Sequence, residues 1–156
     1  MALEDSIKQH EGYREHPYRD TRGYWTVGWG HLIHNDSLDD LMINGATVGD
    51  LFDYLTDEQM HKLWFKDDVA DAAAGAERWI DNTTVWDTMP AERQNVLIEM
   101  VYQLGYGGIS KFRKTRQHII DGHWLDAADE MLDSKWARQT PGRASELSKR
   151  FRGRFD

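Results

Sequence analysis

The stretch HEGYREHPYRDTRGYWTVGWGH, from His10 to His31, decides how the N-terminal part of this chain folds. Leading into it, Leu3, Ile7 and Glu11 follow one another at intervals of four residues, the spacing of one helix face. Gly12 comes next, and glycine is a common residue at the end of a helix. The sequence therefore predicts a short helix whose apolar face runs up to Glu11.

The second half of the same stretch has the composition of a small sheet. Residues 21–23, Thr-Arg-Gly, are a turn signal between two runs of β-forming residues. We predict an antiparallel hairpin or meander in which Asp20 enters the turn. Thr26 then lies on the strand that follows.

Glu11 and Asp20 are the candidate catalytic groups. Glycosidic bonds are cleaved by two carboxyl groups, of which one protonates the leaving oxygen and the other acts as base or nucleophile. An apolar setting such as that of Glu11 favours the neutral acid, whereas a polar turn suits an ionised Asp20. The hydroxyl of Thr26 could hold a water molecule. Acids are also common at helix ends and in turns, so the residue types alone leave their role open.

The rest of the chain is dominated by helical patterns. A capping-box pattern at residues 56–59 opens a long helix that runs from about 57 to 80. Pro90, in a first-turn position, opens a strongly apolar helix that Gly105 ends. Residues 34–55 are polar and typical of loops. Shorter helices are expected around residues 111–121, 124–133 and 143–150.

The predicted fold class is α+β and mostly helical, in one domain of 156 residues. A small N-terminal lobe, about 12–58, carries the short antiparallel sheet. The long connecting helix leads to an all-helical C-terminal lobe made of residues 1–11 and 75–156. Proteins of this shape commonly place their ligand cleft between the lobes.

Composition excludes several classes of function. The chain has no cysteine, so disulfides, cysteine–zinc sites and thiol catalysis are excluded. No run approaches the roughly 18 apolar residues of a membrane span, and the N-terminus lacks the pattern of a signal peptide. A net charge of −8 argues against a nucleic-acid binder. The basic segment 134–156 could still face an anionic polymer.

A metal or cofactor site is not expected from the sequence. His10 and His16 are six residues apart, whereas zinc protease histidines stand four apart on one helix face, and Gly12 and Pro17 interrupt any helix here. Gly28-Trp29-Gly30 lacks the third glycine of a dinucleotide-binding loop.

Three separated motifs resemble those of the T-even phage lysozymes, glycoside hydrolase family 24, and the resemblance covers nearly the whole chain. The first motif is the segment from Glu11 to His31, with the pattern EG–(eight residues on)–DTxGYxTxGxGH. The second and third are Met100-Val101-Tyr102-Gln103-Leu104-Gly105 and Trp136-x-x-Gln139-Thr140-Pro141-x-Arg143-Ala144.

This resemblance implies a lysozyme-like fold and an endolysin, a muramidase that hydrolyses the β-1,4 bond between N-acetylmuramic acid and N-acetylglucosamine in peptidoglycan. It implies that Glu11 is the general acid, Asp20 the second carboxylate and Thr26 the residue that positions water, with inversion at the anomeric carbon. His31 would be a structural support. Positions that contact the sugar chain in the family are occupied here by Leu32, Tyr102, Thr115 and Glu130.

The resemblance also implies the setting in which the chain acts. The partner would be the glycan strands of peptidoglycan, bound by a monomer without nucleic acid or membrane insertion. The site of synthesis would be the cytoplasm of an infected bacterium, with passage to the wall through a holin-type pore. The alternatives are a lytic transglycosylase, a catalytically inactive peptidoglycan-binding module and a lysozyme-like domain of a phage tail protein.

Overall fold

A computed structural model of the chain describes residues 2–19, 25–32, 42–43, 46–47 and 64–153. These residues form two compact units, Met1–Val69 and Ala70–Asp156, and each is described by itself. The strands are β1 (Arg14–Arg19), β2 (Trp25–Gly28), β3 (His31–Leu32), β4 (Met42–Ile43) and β5 (Ala46–Thr47). The helices are α1 (Leu3–Glu11), α2 (Lys66–Ile80), α3 (Thr83–Thr88), α4 (Ala91–Ile109), α5 (Arg113–Ile120), α6 (Trp124–Leu132), α7 (Lys135–Gln139) and α8 (Pro141–Arg152).

Helix α1 confirms the predicted helix at the start of the chain. Ile7 is fully buried on its apolar face, and Glu11 is its last residue. The helix ends there because Gly12 has a φ of 70°, a conformation that L side chains rarely adopt, while its N–H still donates to the Lys8 carbonyl at 3.0 Å.

The sheet of the first unit has the order β1-β2-β3, and both strand pairs are antiparallel. Thr26 in the middle strand β2 is paired with Tyr18 on one side and with Leu32 on the other. Strands β2 and β3 are joined by the two-residue turn Trp29-Gly30. The turn predicted at residues 21–23 lies outside the described residues. A second antiparallel pair, β4 with β5, falls in the segment that was predicted to be loop.

Aromatic side chains form the core of the first unit. The ring of Trp29 lies 5.0 Å from that of Tyr13 and 5.2 Å from that of Phe65, centroid to centroid. Lys8 places its ammonium group 4.3 Å from the centroid of the Trp29 ring, a cation–π distance. The Trp29 ring therefore anchors α1, the β2–β3 turn and the residues just before α2.

The core of the second unit is centred on α4, where Val96, Leu97 and Met100 are fully buried. Helix α2 packs closely on it at Gly75, because a Cβ there would lie 3.0 Å from Cγ1 of Val101. Gly105 interrupts α4 with a φ of 74° and a ψ of 169°, and one more helical turn follows. The predicted end at Gly105 is thus observed as a kink rather than as the end of the helix.

Helix boundaries agree with the sequence prediction where local signals are strong. Helix α2 ends at Ile80 as predicted, and its predicted start at residues 57–63 lies outside the described part of the chain. Pro90 is the N-cap of α4 rather than a first-turn residue. Helices α3 and α7 were not predicted. Each has a polar N-cap side chain, Asn82 accepting from the Val85 N–H and Ser134 from the Ala137 N–H, both at 3.1 Å.

Arginine side chains tie the helices of the second unit together. Arg116 donates to the carbonyls of Trp79 and Ile80 at 2.9 and 2.8 Å, which caps the C-terminus of α2. Arg93 donates to the Phe151 carbonyl at 2.8 Å in the same way at the end of α8, and burial lowers the pKa of its guanidinium. These contacts satisfy carbonyls that the last turn of a helix leaves without intrahelical partners.

A charged group lies at the centre of the second unit. Glu99 of α4 has no exposed surface, and its carboxylate oxygens lie 2.9 Å from Nη2 of Arg150 and 3.3 Å from Nη2 of Arg143, both on α8. A buried carboxylate requires such partners, because an uncompensated charge is costly in a low-dielectric interior. Helix α8 is therefore fixed on α4 by charge as well as by apolar packing.

The chain is mostly helical, as predicted. Among the residues that the structure describes, no helix is both long and apolar enough to cross a bilayer. The predicted lobes, about 12–58 and 1–11 plus 75–156, stay a prediction.

Candidate active site

Glu11 stands at the point where α1 meets the β2–β3 turn. Its side chain is half-buried, and the flexible residue that follows it, Gly12, lets the chain leave the helix directly after the carboxylate. Gly30, in the turn, comes so close that a Cβ there would lie 3.1 Å from Oε2 of Glu11. The backbone of the turn thus forms one wall of the space around this carboxylate.

Thr26 is held in the central strand of the small sheet. Its side chain is 5% exposed, and its backbone pairs with strands on both sides. A β-branched residue is favoured in such a central position because it packs well on a pleated surface. Thr26 therefore offers a hydroxyl group at a fixed place in the first unit.

His31 connects the turn beside Glu11 to helix α2. Its Nδ1–H donates to Oδ2 of Asp68 at 2.7 Å, and its ring is stacked on that of Trp64 with centroids 4.9 Å apart and an interplanar angle of 7°. Since His31 directly follows Gly30, these contacts hold the turn that borders Glu11. The structural role that the resemblance implies for His31 agrees with this geometry.

Asp68 was not identified from the sequence. The only local signal is that it is one of two acids, with Asp67, in the first turn of α2, where carboxylates are favoured by the helix dipole. Its partner His31 lies 37 residues away in the chain, so no periodic pattern relates the two.

The structure describes the other predicted site residues to different extents, and those that it describes differ in burial. Asp20 lies outside the described residues, and so does the side chain of Leu32. Tyr102 on α4 and Glu130 on α6 have half-buried side chains in the second unit. Thr115 on α5 is only 1% exposed, so its side chain packs within that unit.

Two of the three sequence motifs are in direct contact. The indole N–H of Trp136, in the motif that begins at residue 136, donates to Oε1 of Gln103 at 2.8 Å. Gln103 belongs to the motif at residues 100–105. A bond between residues 33 positions apart shows that these motifs form one structural element of the second unit.

The phage lysozyme family model matches residues 8–152 of this chain. The chain belongs to the phage lysozyme family. The matched segment includes Glu11, Thr26 and all of α2 to α8. Family membership places the protein among the lysozyme-type hydrolases.

Curated relatives agree with this membership. "Probable T4-type lysozyme 2" of Dictyostelium discoideum is 29% identical over 94% of this chain and 91% of its own length. "Pre-baseplate central spike protein Gp5" of Enterobacteria phage T4 is 32% identical over 95% of this chain and 27% of its own length. "Peptidoglycan hydrolase gp36" of Pseudomonas phage phiKMV is 32% identical over 96% of this chain and 15% of its own length. The chain thus spans most of the Dictyostelium protein and a minor part of the two phage proteins.

Proposed function

We propose that this phage lysozyme family member is a muramidase, which hydrolyses the β-1,4 bond between N-acetylmuramic acid and N-acetylglucosamine in peptidoglycan. The observation that carries the proposal is the placement of Glu11 at the tip of α1 against the turn at Gly30, within the segment that matches the family. A lysozyme-like arrangement of two lobes joined by α2 is part of the same proposal.

In the proposed reaction, the Glu11 carboxyl gives its proton to the glycosidic oxygen as the bond from that oxygen to the anomeric carbon breaks. A water molecule positioned by the Thr26 hydroxyl attacks the anomeric carbon and loses a proton to Asp20. The sugar is released with a new reducing end and inverted configuration. Water supplies the hydroxyl group, so no cofactor is needed.

The backbone positions of Thr26 and Glu11 in regular structure support this role. Catalytic groups act best when the scaffold holds them in place, since misplacement by about 1 Å costs about a hundredfold in rate. Thr26 is fixed by the sheet, and Glu11 by the helix end and by the turn that His31 ties to Asp68. Tyr102 and Glu130, which keep exposed surface, are proposed to contact the glycan, together with Leu32. Thr115 is 1% exposed and is not included in this proposed contact surface.

The reaction is tested by digesting purified peptidoglycan in water enriched in oxygen-18 and analysing the fragments by mass spectrometry. Hydrolysis adds one heavy oxygen at each new reducing N-acetylmuramic acid. A 1,6-anhydro end without heavy oxygen would instead show a lytic transglycosylase, and binding without fragments would show an inactive wall-binding module. Proton NMR of the first product anomer distinguishes inversion from retention.

Glu11→Gln is the decisive variant. Removal of the proton donor is expected to lower the hydrolysis rate by at least about a hundredfold, with unfolding stability unchanged or raised. Asp5→Asn is the matched control, because Asp5 is an exposed acid in the first turn of the same helix. Near-normal hydrolysis by Glu11→Gln would exclude Glu11 as the acid.

We further propose that the chain acts as a monomeric endolysin, made in the cytoplasm of an infected bacterium and released to the wall through a holin-type pore. Expression in bacteria with and without a co-expressed holin tests this, since lysis should require both the chain and the holin.

The relationship to part of a phage spike protein supports a second role, a lysozyme domain of a larger tail protein. Purification from phage particles rather than from the lysate would favour that second role.

A further inference from the structure

A cluster of metal-ligating side chains lies in the second unit, at the turn between α5 and α6. It consists of His118, His123 and Asp126, of which one ring nitrogen from each histidine and one carboxylate oxygen lie within 4.8 Å of one another. His118 is half-buried, while His123 and Asp126 are exposed. Neither the family relationship nor the proposed hydrolysis uses these three residues.

The backbone of this turn brings the two histidines together. Gly122 has a φ of 76°, its N–H donates to the Ile119 carbonyl at 3.1 Å, and the N–H of His123 donates to the His118 carbonyl at 2.8 Å. This pair of bonds is the Schellman motif, which places the side chains of its first and last residues side by side. An apolar pair usually occupies these two positions, and here both residues are imidazoles.

Asp126 completes the cluster from the next helix. It lies three residues after His123 in the first turn of α6, so the two side chains share one helix face. The rings of His118 and His123 are 6.2 Å apart and tilted by 43°, so they are not stacked face to face. Three donor atoms thus converge on one exposed space above a turn whose backbone is fixed.

We propose that His118, His123 and Asp126 bind one divalent transition-metal ion, with Zn²⁺ as the reference ion. Two imidazoles and a carboxylate suit Zn²⁺, Co²⁺, Ni²⁺ and Cu²⁺ better than Mg²⁺ or Ca²⁺, which prefer all-oxygen ligands. In a tetrahedral zinc site, ligand atoms stand about 3.3 Å apart, given bond lengths of about 2.0–2.1 Å. Binding therefore requires side-chain rotation that brings the donor atoms from within 4.8 Å of one another to that distance, and the exposed site leaves the fourth position to water.

Metal binding at this place would link α5 to α6. An ion that binds the folded chain but not the unfolded one stabilises the fold by mass action. Because the ligands come from the end of one helix and the start of the next, the ion would resist separation of these helices. The readouts are metal affinity and unfolding temperature, so the inference is decided separately from the hydrolytic reaction.

The test is a calorimetric titration of the metal-free 156-residue chain with ZnCl₂, with thermal unfolding measured in parallel. The wild type should bind one ion per chain and unfold at a higher temperature in its presence. His123→Ala and Asp126→Asn should each weaken binding by at least about tenfold, because loss of even an outer-shell partner costs 10–100-fold. His61→Ala is the control, a histidine elsewhere in the sequence whose removal should leave the affinity unchanged.

A second measurement keeps the inference decidable if a variant folds poorly. Zinc added to the isotopically labelled wild type should shift the ring signals of His118 and His123 before those of the other five histidines. Equal affinity in His123→Ala and the wild type, or shifts confined to other histidines, would overturn the assignment. The absence of a one-to-one binding event would overturn it as well.

Discussion

A methyl group placed on Gly30 would stand 3.1 Å from Oε2 of Glu11, closer than side chains normally approach. Gly30 also has a φ of 73°, which L side chains rarely adopt. Glycine is therefore required at position 30 for two independent reasons, the path of the turn and the space of the carboxylate beside it.

Gly30→Ala is expected to lower kcat strongly and KM little, because the added methyl pushes the Glu11 carboxylate away from its position. Backbone strain should also reduce the free energy of unfolding by about 1–2 kcal/mol. Gly105→Ala serves as the control, since Gly105 has a φ of 74° but an added Cβ would contact nothing within 4 Å. Kinetics on peptidoglycan combined with urea unfolding separate the two effects, and equal kcat in both variants would contradict this account.

Asp68→Asn tests the link between the β2–β3 turn and α2. The amide cannot replace the charge-assisted bond to His31, so a loss of about 1.5 kcal/mol in unfolding free energy is expected, the lower end of the range because both side chains are partly exposed. Asp67→Asn is the matched variant in the same helical turn, and it should cost at most about 0.5–1 kcal/mol. Equal losses of unfolding free energy in Asp68→Asn and Asp67→Asn, measured by urea titration, would show that Asp68 stabilises the fold through the helix dipole and not through His31.

Arg150→Ala and Arg152→Ala compare a buried with a surface ion pair on one helix. Arg150 faces the fully buried Glu99, so its removal should cost about 3–5 kcal/mol. Arg152 pairs with Asp129 at the surface, where about 0–1 kcal/mol is typical. Chemical denaturation of both variants gives the comparison, and a small effect of Arg150→Ala would mean that Arg143 alone compensates Glu99.

Arg116→Met tests the cap at the end of α2. The variant keeps the aliphatic bulk but loses both hydrogen bonds to the carbonyls of Trp79 and Ile80, and a loss of about 2–3 kcal/mol is expected. Arg113→Met, on the same helix but exposed, should change stability by at most about 0.5 kcal/mol. Hydrogen exchange should also quicken selectively in the last turn of α2, and uniform exchange along the helix would argue against a local cap.

Local signals predicted α1 and the start of α4, because an apolar helix face followed by Gly12, and a proline, act within a few residues. The end of α2 near Ile80 was predicted from apolar residues at helical spacing. The N-caps Asn82 and Ser134 were present as signals for α3 and α7, but helices of five or six residues give too little periodicity to be recognised.

The supports of the candidate site could not be predicted in the same way. The bond from His31 to Asp68 joins residues 37 positions apart, and the approach of Gly30 to Glu11 depends on how a turn meets a helix end. Such contacts are set by tertiary packing, which no period in the sequence encodes. Glu11 and Thr26 were identified because the family resemblance gave weight to residue types that are common in any chain.

The buried Glu99 makes the order of biosynthesis matter. Its guanidinium partners Arg143 and Arg150 are 44 and 51 residues further along the chain. Before Arg143 and Arg150 have been synthesised, burial of α4 would place the Glu99 carboxylate in the interior without these two guanidinium partners. The second unit therefore closes only after the residues up to Arg150 have been synthesised, and a chain truncated before Arg143 should be left open to proteolysis.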